Sequence, residues 1–94
     1  MKYHIKSYES FVTVCDEDLL GKKFEEGEEV LDVTESFFKG EVKSEKEVKE
    51  LLIEEYNFNL VGNGIVGIAI ELGLVEKDLV KEVEGVKHAQ IYCL

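Results

Sequence analysis

Six residues, Gly62-Asn63-Gly64-Ile65-Val66-Gly67, form the first place in this chain where residue type and spacing could do chemistry. They spell G-x-G-x-x-G between an apolar strand-like run, Phe58 to Val61, and an apolar helix-like run. Glycines in such a turn let backbone N–H groups approach an anion, and the positive end of the following helix favours one. Glu84 lies about 20 residues further on, where a ribose-binding acid would belong. Against dinucleotide binding, 94 residues cannot hold two mononucleotide-binding halves, and the strand is short. The plainer expectation is structural: Gly62 and Gly64 make a tight turn, and Gly67 lets the helix lie close to a sheet. A smaller anion, a phosphate or a substrate carboxylate, is the chemical alternative at that helix end.

Gly85-Val86-Lys87-His88-Ala89-Gln90 is the second such stretch. It puts an imidazole, an ammonium and an amide in a loop that enters a strand. Histidine is the usual general acid–base residue near neutral pH. If Lys87 and His88 meet the Gly62–Gly64 turn, they line an anion-binding notch. The candidate ligand-binding set is therefore Asn59, Gly62, Asn63, Gly64, Lys87, His88 and Gln90, with His88 the one candidate for catalysis. The competing expectation is that His88 caps a turn and Gln90 is a surface strand residue.

His4, Cys15, Asp16, His88 and Cys93 are chemically able to hold zinc, but none stands at close ligand spacing. No metal or other cofactor is expected. Cys15 precedes what reads as a helix N-terminus, which would lower a thiol pKa. The acids Asp16, Glu17 and Asp18 oppose that, so a buried strand cysteine is the expectation.

The elements that position these residues follow from patterning. Lys2 to Tyr8 alternates, with Tyr3, Ile5 and Ser7 on one face, so it reads as a half-buried strand. Glu9-Ser10 turns it into a second strand, Phe11 to Cys15. Asp16 then stands as the N-cap of a short helix carrying Leu19, Leu20 and Phe24 and ended by Gly27. Glu29 to Val33 reads as a strand, and Lys39-Gly40 as a turn. Ser44 with Glu47 is a capping box opening a helix, Glu45 to Tyr56, with Val48, Leu51 and Leu52 as its core stripe. Ile65, Ile68, Ala69 and Leu72 recur at helical spacing up to a terminal Gly73. Leu79 to Val83 and Ala89 to Leu94 close the chain as strands. One domain, 1–94, is expected: an α+β fold with a mixed sheet and two or three packed helices.

Composition narrows the function classes. The net charge is −10, and all 11 cationic side chains are lysine. A chain of that sign without arginine is poorly built to displace phosphate counterions, so no direct nucleic-acid binding is expected. The start, MKYHIKSY, is alternating and charged with no apolar h-region, so no signal peptide is expected, and no apolar run approaches the ~20 residues that span a bilayer. Two cysteines without secretory context fit a reducing cytoplasm. Lysine–glutamate enrichment fits a thermophilic source.

The segments VCDEDLLGKKF, LDVTESFF, NLVG, AIELGLV and GVKHAQ together resemble a small archaeal family of unknown function, domain-of-unknown-function family 424. The resemblance spans Val12 to Ile91. Members commonly carry proline where this chain has Lys87, which leaves the loop less rigid here. The resemblance implies an archaeal, cytoplasmic protein and carries no catalytic or binding residue with it. The expected function is a small acidic cytoplasmic interaction module, an accessory of a larger complex, contacting a protein for which a basic surface fits best. A monomer or a homodimer paired through a strand edge is compatible with this. The alternative is a small-anion or metabolite-binding protein or enzyme using the Gly62–Gly64 helix end with His88.

Overall fold

The alternating start folds as a hairpin. β1 (Lys2–Ser7) and β2 (Val12–Asp16) pair antiparallel, and the Tyr8 N–H donates to the Phe11 carbonyl across the turn at 2.8 Å. They lie inside a six-stranded sheet with β5 (Glu41–Ser44), β6 (Phe58–Val61), β7 (Lys81–Val83) and β8 (Val86–Ile91), in the order β5-β1-β2-β6-β8-β7. Among the described residues only the β2–β6 pair is parallel. A parallel pair needs a long crossover. Here it contains a separate hairpin, β3 (Lys23–Glu26) with β4 (Glu29–Asp32), then α1 (Glu35–Phe38), β5 and α2 (Glu45–Glu54). α3 (Asn63–Glu71) follows β6. The computed structural model describes residues 1–55 and 57–92. Tyr56, Cys93 and Leu94, and with them the far ends of the expected second helix and last strand, lie outside the described residues.

Local signals explain the two longer helices. The Ser44 hydroxyl accepts from the Glu47 N–H, and Glu47 Oε1 accepts from the Ser44 N–H at 3.1 Å, so both halves of the capping box form. Val48 and Leu52 are buried, and Lys49 pairs with Glu45 at 3.4 Å one turn back. α3 ends in a Schellman motif, with the Leu74 N–H on the Ala69 carbonyl at 2.9 Å and the Gly73 N–H on the Ile70 carbonyl at 3.0 Å.

The sheet is covered on both faces, making the architecture α+β. On one face α2 and α3 pack Leu52, Ile65 and Val66 over Tyr3, Val14 and Leu60. On the other, the β3–β4 hairpin and α1 pack Leu31, Val33 and Phe38 over Cys15 and Val61. Each such side chain removed from water is worth about 1.5–3 kcal/mol.

Three expectations are corrected. The helix expected from Asp16 to Gly27 is a single 3-10 turn, Glu17–Leu19, followed by strand β3, which contains Phe24. Leu19, Leu20 and Phe24 pack under the second face, the first two from the 3-10 turn and its cap and Phe24 from β3. Gly67 does not bring α3 close to the sheet. It faces outward, and a Cβ there would meet nothing within 4 Å. His88 is not in a loop. The turn is Glu84-Gly85, both at positive φ (49° and 78°), the type I′ pattern of a two-residue hairpin, so His88 falls inside β8.

Candidate functional site

Gly62 ends β6 at φ 124°, ψ 146°, a conformation open to glycine almost alone, and becomes the N-cap of α3. A glycine N-cap has no side chain to satisfy the first free N–H groups of its helix. Asp16 does so instead, from the end of β2. Its Oδ2 accepts the Gly64 N–H and its Oδ1 the Ile65 N–H, each at 2.9 Å and across 48 and 49 residues of chain. The carboxylate is buried, at 4% exposure. Burial pushes its pKa up, and the two N–H bonds pull against that. The place an anion would take at this helix end is thus held by the chain's own carboxylate. A Cβ on Gly62 would overlap that carboxyl group. One on Gly64 would lie 2.7 Å from Met1 Sδ and 3.0 Å from Asp16 Oδ1.

The Gly85–Lys87 segment does reach the Gly62 turn, through main chain and an amide. The Gly62 N–H donates to the Lys87 carbonyl at 2.8 Å. Asn63 Nδ2 donates to the Gly85 carbonyl at 3.0 Å, and Asn63 Oδ1 accepts the Lys87 N–H at 2.9 Å. A proline at position 87 would lack that donor. Glu84 serves elsewhere. Its Oε1 accepts the Glu25 N–H at 2.7 Å, and its own N–H donates to Glu26 Oε1 at 2.6 Å, which ties the β3–β4 hairpin to the β7–β8 turn.

His88 stands opposite Val61 in register and shares its face, turned from α3 toward the hairpin. Its Nε2 lies 3.0 Å from Asn59 Oδ1, a contact in which the Nε2–H tautomer donates. Its other ring nitrogen has no partner among the described residues. Gln90 is the cross-strand neighbour of Asn59 and is exposed. The candidate residues therefore divide. Gly62, Asn63, Gly64 and the Lys87 backbone form one junction, while Asn59, His88 and Gln90 line the opposite face.

His88 borders a groove of about 440 Å³, with Glu29, Val30 and Leu31 of β4 and Lys81, Glu82 and Val83 of β7. Burial, and then the Lys81 charge, lowers its pKa below the ordinary 6.5. For a depressed histidine the stabilising contribution is full above the unfolded value and is lost as pH falls through the window beneath it. From about pH 7.5 to 5.5 the wild type should therefore lose more stability than His88→Gln, read from paired thermal melts. Equal losses would sink the assignment.

Burial, then Asp16, pushes the Cys15 thiol up to about 12, and the side chain is wholly buried on β2. It is not a nucleophile in this state. Iodoacetamide at mildly alkaline pH should leave Cys15 unmodified until denaturant is added. Peptide mapping that finds it alkylated in the folded protein would show that β2 opens. Among the described residues no three His, Cys, Asp or Glu side chains gather where they could hold a metal ion. No helix among them is long and apolar enough to cross a membrane.

A family model described as "Protein of unknown function (DUF424)" matches residues 3–94. An uncharacterized conserved protein from Methanopyrus kandleri has a similar crystal structure, with a TM-score of 0.75 and 26% identity, over 100% of this chain and 93% of that one. No curated protein matches the chain.

Proposed function

The chain belongs to the DUF424 family of proteins of unknown function, and from that premise we propose that it acts as a small acidic interaction module, a cytoplasmic accessory that contacts another protein of a larger complex. One observation carries this reading: the β3–β4 hairpin presents four exposed glutamates, Glu25, Glu26, Glu28 and Glu29, beside a valine, Val30, that is 56% exposed. An apolar side chain inside a charged rim is how an interaction patch is built. The acidic rim steers a basic partner and repels nucleic acid. The metabolite alternative is the weaker one, since an anion at Gly62–Gly64 would have to displace Asp16, and the His88 ring is turned to the other face.

The test is affinity capture from an extract of the source cells, comparing the tagged wild type with Glu25→Lys/Glu28→Lys. The expected result is a defined partner held by the wild type at low salt and lost by the charge-reversed hairpin. No partner above background, or equal capture by both, would refute the proposal.

A further inference from the structure

The hairpin's strand edges carry more information than its charge. In a two-residue hairpin loop the flanking residues exchange the hydrogen bonds, and the next pair out does not. Glu26 and Glu29 flank the Gly27-Glu28 loop, so Glu25 and Val30 form the pair whose main-chain groups point away from each other. The Glu25 N–H bears this out by donating outward to Glu84. The N–H and carbonyl of Val30, on the other edge, therefore point outward too, into the groove that Glu29, Val30 and Leu31 line. No partner holds them among the described residues. Across the groove lie Val83, Lys81 and His88, whose second ring nitrogen has no partner among the described residues. Glu82 lines the groove as well, although alternation turns its side chain to the other face of the sheet, so the β7 backbone is itself accessible there.

We infer that the free edge of β4 takes up an extended, lysine- or arginine-bearing peptide segment of a partner protein as an added third strand, lying against Val83 and His88. The inference rests on the interaction reading above and names its site and partner chemistry. Main-chain bonds to Val30 supply the pairing, and alternate side chains meet the groove. Charge selects the occupant. Glu29 lines the groove against Lys81, Glu28 stands next to it in the exposed hairpin loop, and the chain as a whole carries −10. A second copy of this chain, at −10, would bring the wrong sign.

The experiment uses ¹⁵N-labelled protein and a blocked peptide of about six alternating lysine and valine residues, the length of an ordinary strand. The expected result is saturable binding that shifts the His88 and Val30 signals and slows Val30 amide exchange about tenfold or more. The glutamate–valine counterpart should not bind. N-methylation of the peptide along one edge should weaken binding about tenfold. So should Val30→Pro, which removes an outward N–H that the fold itself does not use. If that variant fails to fold, the methylated peptide decides. No binding, binding that leaves Val30 and His88 undisturbed, or indifference to N-methylation overturns the inference. So does Val30 protection that rises with protein concentration alone, which would make a second copy the occupant. A cellular partner captured equally by wild type and Val30→Pro would overturn this inference while leaving the interaction reading standing.

Discussion

Asp16→Ala is expected to destabilise the protein by about 3 kcal/mol, combining a lost helix cap with two buried N–H groups left unpaired. For a domain of this size that lowers the melting temperature by roughly 15 °C. The size of the effect comes from position. Asp16 does not cap a neighbouring turn. It joins the end of β2 to the start of α3, and Gly64 and Ile65 have no other acceptor in the described structure. Asp16→Asn should cost less, because its carbonyl oxygen keeps one of the two bonds. The pH dependence has a definite sign. Burial raises the folded pKa above 3.8, so the proton is held more tightly in the fold than in the unfolded chain. The carboxyl group's contribution is then largest below the unfolded value and falls as pH rises through the folded one. The margin of wild type over Asp16→Asn should shrink across that window in paired melts. A margin that widens would mean that the two N–H bonds outweigh desolvation.

The same residue shows where a sequence stops being informative. Asp16, Glu17 and Asp18 look like a helix start because acid residues favour one locally. The first helix N–H that Asp16 caps, that of Gly64, lies 48 residues later, and no local pattern points to it. The capping box at Ser44 and Glu47 was legible because both partners sit within one turn. α3 was legible for the same reason, its apolar spacing being a property of neighbours. The hairpin β3–β4 was hidden because Phe24 falls in a helical stripe with Leu19 and Leu20 as readily as in a strand of its own. Only the second sheet face, which needs covering, decides between them. β5 was missed because its four residues, Glu41 to Ser44, carry little apolar signal at a sheet edge. At the candidate site, the sequence posed the approach of Lys87 to the Gly62 turn only as a condition, and it is the Lys87 main chain that makes it. The separation of His88 from that turn was not legible. It depends on the parity of one strand, and moving the turn to Glu84-Gly85 decides which face the ring takes.

The three glycines of Gly62-Asn63-Gly64-Ile65-Val66-Gly67 should respond to alanine in three different ways, although by letter they form one motif. Gly62→Ala is expected to cost about 4 kcal/mol, from a strained backbone plus overlap with a buried side chain. That is a large share of the roughly 5–15 kcal/mol holding a domain together, so partial unfolding at growth temperature is the expected phenotype. Gly64→Ala should cost about 1 kcal/mol or less. It meets the flexible Met1 thioether and the edge of Asp16, and alanine regains helix propensity. Gly67→Ala should stabilise by about 0.5–1 kcal/mol, because the site is exposed, helical and open. A double-mutant cycle separates the two parts of the Gly62 cost. In an Asp16→Ala background the overlap is gone and only the backbone strain remains. Gly62→Ala should then cost about 1–3 kcal/mol less than in the wild type, a coupling well beyond the scatter of independent sites. Strict additivity in denaturant melts would show that Gly62 is needed for its dihedrals alone. Coupling would show that the glycine is there to admit Asp16, and so that an anion-binding motif in the sequence is filled by the chain's own carboxylate.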